Sequence, residues 1–187
     1  MSKEHIWIEV GYKTFAYNGP SGLKVEKLAK AAKKNKSSFY HYFADLEIFI
    51  SRLLTHHISQ AEIMAEKEVK AQNEQELITI IIAHKLDLLF NRQLRFHREN
   101  PEYRDCFSRI NEVSLPGLLP VWQKIMGLEE NNYLANMVLM LSIENFFLQI
   151  TDETLNESWL QAYFQNIKTM VFQFKKTHPT SILDGSV

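Results

Sequence analysis

Residues 23–43 read Leu23-Lys24-Val25-Glu26-Lys27-Leu28-Ala29-Lys30-Ala31-Ala32-Lys33-Lys34-Asn35-Lys36-Ser37-Ser38-Phe39-Tyr40-His41-Tyr42-Phe43. Val25, Leu28, Ala29 and Ala32 fall at i, i+3, i+4 and i+7, one buried stripe on a short helix from about Lys24 to Ala32. Lys24, Lys27 and Lys30 lie off that stripe and face outward. Lys33-Lys34-Asn35 breaks the period, and Asn35 is a good N-cap. A second short helix is therefore predicted over Lys36–Tyr42, with Phe39 and Phe43 turned inward. Six lysines stand between residues 24 and 36, opposed by Glu26 alone.

Working outward, a first helix is predicted over Lys3–Tyr17, with Ile8, Tyr12, Phe15 and Ala16 on its apolar face. Asn18-Gly19-Pro20 stops it, because Gly accepts a left-handed cap and Pro cannot continue the helix. Asp45 caps a long fourth helix, Leu46–Lys70, whose early apolar face is Ile48, Phe49, Leu53, Leu54 and Ile58. Three short helices around one core, the last two joined by a tight turn, describe a helix-turn-helix module. Its last short helix is the one that enters a DNA major groove. Lys36, Ser37, Ser38, Tyr40, His41 and Tyr42 are the candidate contacts. Lysine donates to phosphate or guanine, and hydroxyls and imidazole bond phosphates or base edges.

The 187 residues are 45% hydrophobic and 12% aromatic, enough for a sizeable core. Six Gly and five Pro argue against a turn-rich all-β chain, and one Cys excludes an internal disulfide. The net charge of −1 hides an asymmetry. Through Thr55 there are nine Lys/Arg against five Asp/Glu; from His56 onward, twelve against seventeen. A basic head on an acidic body is the pattern of a polyanion-binding module joined to something else. Met1-Ser2-Lys3-Glu4-His5 has no apolar run, and Tyr133–Ile150 contains Asn136, Glu144 and Asn145. The expectation is a cytoplasmic protein with no membrane partner, in which Tyr133–Ile150 is a buried helix.

The rest also reads as helix. Asn73 and Glu76 resemble a capping box opening a strongly apolar helix, Glu74–Arg98. Asn100-Pro101 starts the next, and Ser114-Leu115-Pro116-Gly117 predicts a break before a short helix ending at Gly127. Asn131 and Asn132 cap a helix over Tyr133–Ile150. Thr154 with Glu157 forms a second capping box for the last helix, to about Lys176, and His178-Pro179 begins a frayed tail. In the last helix Leu160, Tyr163, Ile167, Met170 and Phe174 follow a 3-4 spacing, a seam for another helix. Trp159, Phe164 and Val171 widen it. Leu134, Met137, Leu141 and Leu148 follow a similar register, so two helices per chain suggest a four-helix homodimer interface. Dimerisation also supplies the second recognition helix that paired half-sites require.

Residues 7–54 resemble the amino-terminal domain of TetR-family transcriptional regulators. Leu23–Ala29 is similar to the family's second helix. Asn35-Lys36-Ser37-Ser38-Phe39-Tyr40-His41-Tyr42-Phe43 is similar to its recognition helix, where a small pair, an apolar residue, Tyr, His and a final Phe are typical. The Asp45-Leu46-Glu47-Ile48-Phe49 opening of the fourth helix fits as well. The resemblance implies an all-α fold: an amino-terminal three-helix helix-turn-helix domain, residues 1–50, followed by a helical effector-binding and dimerisation domain, residues 51–187. It implies double-stranded DNA and a second copy of the chain as partners, no cofactor, and a cavity among the helices from residue 84 to 148. His84, Leu88, Phe107, Trp122, Met137 and Leu141 are the candidate lining, which favours a small hydrophobic effector. Three departures stand out. Lys33 replaces the usual turn Gly; a left-handed non-Gly residue costs about 1 kcal/mol, an incentive to reshape the turn. Lys24 and Lys27 replace a hydroxyl–acid capping pair. Leu46 stands where a phosphate-contacting Lys is common, leaving Lys24 or Lys34 to compensate.

The expected function is a ligand-responsive repressor that binds a palindromic operator as a homodimer. The alternative is a dimeric helical interaction protein that has lost specific DNA reading. Enzyme readings have little support. Cys106 lacks a nucleophile context, His56 and His57 point to different helix faces, and His84, His97 and Glu99 make no metal-binding pattern.

Overall fold

The computed structural model describes residues 3–177, and the predicted tail from His178 lies outside them. Nine α-helices account for most of the described residues, among which there is no strand. They are α1 (Lys3–Asn18), α2 (Val25–Ala32), α3 (Lys36–Tyr42), α4 (Leu46–Glu68), α5 (Glu74–Ala83), α6 (Lys85–Phe96), α7 (Pro101–Met126), α8 (Asn132–Gln149) and α9 (Glu157–Thr177), with a 3₁₀ turn at Pro20–Gly22. None of the described helices is long and apolar enough to cross a membrane.

The helices pack as two compact units. One unites the chain up to Ile63 with Leu86–Glu112, so α1 to α3 and most of α4 are joined by α6 and the first part of α7. Its core is aromatic. Trp7, Phe15, Phe39, Phe43, Phe49 and Phe90 are all fully buried. The Phe39 ring meets Trp7 of α1 at 5.3 Å, Phe43 at 5.1 Å and Phe49 of α4 at 5.1 Å. Such offset or edge contacts add to simple area burial. Gly11 makes this possible: a Cβ there would sit 2.3 Å from Cζ of Phe49. On the other side of α1, Phe90 of α6 stacks on Phe15 and Tyr12, with centroids 4.2 and 4.4 Å away.

The second unit comprises Met64–Lys85 and the chain from Val113 on. Its core includes Leu77, Ile78 and Ile81 of α5, Trp122 and Met126 of α7, Val138 and Leu139 of α8, and Leu160, Phe164 and Ile167 of α9. α5 and α9 are tied at the surface by the Gln75 amide, which donates to Glu157 at 2.7 Å.

Local signals place most boundaries. Asn35, Asp45, Asn73 and Asn131 each accept a backbone N–H from three residues on, at 2.8–3.0 Å. Four sequence expectations need correction. The helix expected over Glu74–Arg98 is interrupted at His84, which leaves helical geometry at φ −103° and ψ 22°. Neither Gly nor Pro marks the spot; the His84 ring is buried and its Nε2 accepts from the Lys67 ammonium at 2.9 Å. Conversely, α7 runs unbroken through Pro116 and Pro120. Each Pro removes one backbone hydrogen bond, but burial of Val121, Trp122 and Met126 just beyond them holds the helix together. Gly117 lies against Val69, whose Cγ2 would be 2.4 Å from an added Cβ. The last helix is capped by Asn156, which accepts from the Trp159 amide at 3.0 Å, while the Thr154 hydroxyl is used by Thr151 and Gln149. Finally, α8 is not buried all round: Tyr133, Leu141 and Leu148 are exposed by 64–70%.

Candidate nucleic-acid interface

The module begins with α2, anchored by Leu28, Ala29 and Ala32, all buried. Its N-cap residue, Lys24, makes no side-chain cap bond. The loss of the hydroxyl–acid pair therefore leaves the first turn of α2 without that stabilisation. At the other end Lys33 adopts φ 53° and ψ 43°. The Lys34 amide bonds the Ala29 carbonyl at 2.9 Å and the Lys33 amide bonds Lys30 at 3.2 Å, the paired bonds of a Schellman motif. The turn is thus not reshaped by the missing glycine. It keeps the left-handed conformation, and Lys33 is the one non-glycine with positive φ among the described residues.

Asn35 then caps α3 through the Ser38 amide at 2.8 Å. Phe39 and Phe43 are buried as expected, which turns the remaining side chains outward. Lys24, Lys34, Lys36, Ser37, Tyr40 and His41 are exposed, and Ser38 and Tyr42 are partly so. Tyr40 is 54% exposed, which decides against its being a core tyrosine. Its ring leans edge-on against Phe39 at 5.4 Å. His41 and Tyr42 touch edge to face at 5.0 Å. All eight expected contact residues are accessible within one unit. The Lys36 ammonium sits 3.0 Å from Oε1 of Glu26 on α2. That hydrogen bond and charge hold the Glu26 carboxyl below its ordinary pKa.

The same unit holds a polar network that sequence reading missed. The Tyr12 hydroxyl of α1 donates to Oδ1 of Asp87 on α6 at 2.7 Å and lies 2.6 Å from Nδ1 of His57 on α4. Because the hydroxyl proton goes to the carboxylate, the imidazole N–H is the donor to Tyr12. Burial pushes the His57 pKa down to about 3. Burial also pushes the Tyr12 pKa up, with the Asp87 carboxylate acting in the same direction. Nearby, the Gln93 side chain of α6 donates to the Ala16 carbonyl of α1 at 3.3 Å. No sequence spacing signals a network whose members stand 45 and 75 residues apart.

The other expected site residues are dispersed. His84 and Trp122 are buried in the second unit, whereas Leu88, buried, and Phe107, half-buried, belong to the first. The Phe107 ring carries the Arg95 guanidinium 4.1 Å above its centroid. Met137 and Leu141 do not line the interior of their unit; they lie on the exposed face of α8, at 40% and 64%. On α9, Leu160, Phe164 and Ile167 face the unit's own core instead of an external seam. Tyr163 is half-buried and donates to the Ser142 carbonyl at 2.6 Å, while Met170 and Phe174 are exposed. Both helices are apolar over more than one face, so periodicity cannot tell the inner from the outer. Burial pushes the Cys106 thiol up to about 12, the opposite of what a nucleophile needs.

A basic helix-turn-helix with an accessible second helix, set in an all-helical chain, defines a DNA-binding regulator. Residues 8–47 match the sequence profile of bacterial regulatory proteins, tetR family. The crystal structure of a protein from Mesorhizobium loti, assigned to the TetR-family transcriptional regulators, superposes with a TM-score of 0.55 at 16% identity, over 94% of this chain and 96% of the other. That likeness shows the fold. No curated protein sequence matches the chain. Residues 8–47, which hold the helix-turn-helix, are thus similar to the amino-terminal domain of that family of bacterial regulatory proteins.

Proposed function

We propose that the chain is a homodimeric repressor that binds a palindromic operator and releases it when a small hydrophobic effector binds. The observation that carries this reading is the outward presentation of Lys24, Lys34, Lys36, Ser37, Tyr40 and His41 around a buried Phe39–Phe43 anchor. Residues 1–50 are assigned to DNA binding and residues 51–187 to effector binding and dimerisation, in the cytoplasm. Dimerisation is supported by an exposed and largely apolar stripe on α8, Tyr133, Met137, Met140, Leu141 and Leu148, with Glu144 within it. At about 100° per residue these side chains fall within one face of the helix. Exposed Met170 and Phe174 offer α9's share. Leu141 and Met137, first expected in the cavity, are reassigned to this surface. Leu160, Phe164 and Ile167 support it from behind.

Effector candidates that remain are His84 and Trp122 in one unit and Leu88 and Phe107 in the other. Release is a population shift: effector favours a conformation in which the two recognition helices no longer match successive major grooves. α6 is the natural messenger within the first unit. It holds α1 through Tyr12–Asp87, Gln93–Ala16 and the Phe15–Phe90 stack. A shift of α6 would drag the first helix of the reading head with it.

The test combines sizing by light scattering with fluorescence anisotropy on a duplex from upstream of the protein's own gene. The expected result is a dimer whose affinity for that duplex exceeds its affinity for scrambled DNA and falls steeply with salt. A monomer at micromolar concentration, or equal weak binding to both duplexes, would overturn the reading. Leu141→Glu is expected to disperse the dimer without unfolding it, because the side chain is exposed.

A further inference from the structure

The last turns of α4, from Met64 on, belong to the second unit and are held there at two points. The Lys67 ammonium donates to Nε2 of His84, where α5 ends, at 2.9 Å. Val69, just past the helix, lies against Gly117 of α7. Between Lys67 and Val69 stands Glu68, buried with Met64 and Ala65. At about 100° per residue its two neighbours flank it on either side, so its side chain enters the seam between the end of α5 and α7.

An ionised carboxyl is badly placed in that seam. Lys67 is turned onto His84, and α7 carries no charged residue over positions 113–123. Burial alone raises the Glu68 pKa from 4.5 to about 7, with no cation acting against it. Glu68 is also the last residue of α4, where the negative end of the helix dipole opposes a carboxylate. A neutral carboxyl avoids both costs.

We propose that Glu68 is a proton-operated latch for the end of α4: protonated, it lies in the seam and the helix end stays docked; ionised, it draws residues 64–71 toward water, away from His84 and Gly117. The latch works near neutral pH and requires no ligand, so it stands apart from the effector reading above.

Hydrogen exchange read by mass spectrometry on the full chain, corrected for intrinsic rates, compares wild type with Glu68→Gln and Glu68→Leu at pH 6 and pH 8. Amides of residues 64–71 are expected to exchange faster than those of residues 12–15 in α1, because the latch opens without global unfolding. With the released carboxyl at its ordinary pKa, their opening constant in wild type should rise about tenfold from pH 6 to pH 8. Both variants should remove that rise, since neither new side chain ionises. Glu68→Leu covers the case in which the amide of Glu68→Gln disturbs the seam. A tenfold rise that survives in both variants puts the sensor elsewhere, at His84 for instance, and overturns the proposal. So does a wild type with no rise, or one in which residues 64–71 exchange only as slowly as α1.

Discussion

Glu68 sits in the last turn of α4, only 5% exposed, and burial alone raises its pKa from 4.5 to about 7. A group with a raised folded pKa contributes stability that is complete below the unfolded value and lost as pH rises through the folded one. Between pH 4.5 and 8 the protein should therefore lose about 3 kcal/mol at this site, at 1.36 kcal/mol per pKa unit. Glu68→Gln keeps the shape and removes the titration. Its stability relative to wild type should climb by that amount over the same range. His57 works in the opposite sense. Its folded pKa is depressed from 6.5 to about 3, so its contribution is present above pH 6.5 and lost as pH falls toward 3. The two slopes oppose each other between pH 4.5 and 6.5. In a single cooperative transition the stability of Glu68→Gln should fall on acidification more steeply than that of wild type, by about 1.4 kcal/mol for each pH unit. Urea unfolding of both proteins at pH 5, 6, 7 and 8 measures the difference. A gap between them that does not change with pH would refute the claim that Glu68 is buried without a compensating charge.

Tyr12→Phe should cost about 2 kcal/mol, since the His57 N–H is left buried without its acceptor; denaturant titration reads the loss, and a cost under about 0.5 kcal/mol would remove the network from the stability of the first unit. Gly11→Ala should destabilise by about 1–3 kcal/mol, because the new methyl meets the Phe49 ring wedged between α1 and α4; an unchanged melting temperature would contradict that packing. Lys36→Ala should weaken DNA binding and lower the salt slope by about one unit. A slope equal to wild type in the anisotropy titration would mean that Lys36 serves Glu26 and not the duplex.

The parts of this protein that could be read from the chain are those fixed by neighbours a few residues away. The α2–turn–α3 stretch was legible because the Leu28-Ala29-Ala32 stripe, the Asn35 cap and the Phe39–Phe43 anchor each act within one or two turns of helix. The caps at Asn73 and Asn131 were legible for the same reason. So was the division of α3 into buried rings and outward polar groups, because seven residues leave little choice of face.

The misreadings share a cause. Pro116 and Pro120 carry a local penalty that predicts a break, but burial of Val121, Trp122 and Met126 outweighs it. His84 carries no local breaker, yet the helix stops there and its ring meets Lys67 from α4. Trp7, the fully buried ring against which Phe39 packs, had nothing in its spacing to set it above Ile8.

Sequence alone therefore determined that the chain is helical, where most helices begin, and that a lysine-rich reading head opens it, because hydrogen-bond capping and helical periodicity are short-range. Tertiary structure decided which faces of α8 and α9 look outward, that Lys33 keeps a left-handed turn, and that Tyr12, His57 and Asp87 meet. Those outcomes depend on which surfaces remain once distant segments have packed, and no local pattern encodes that.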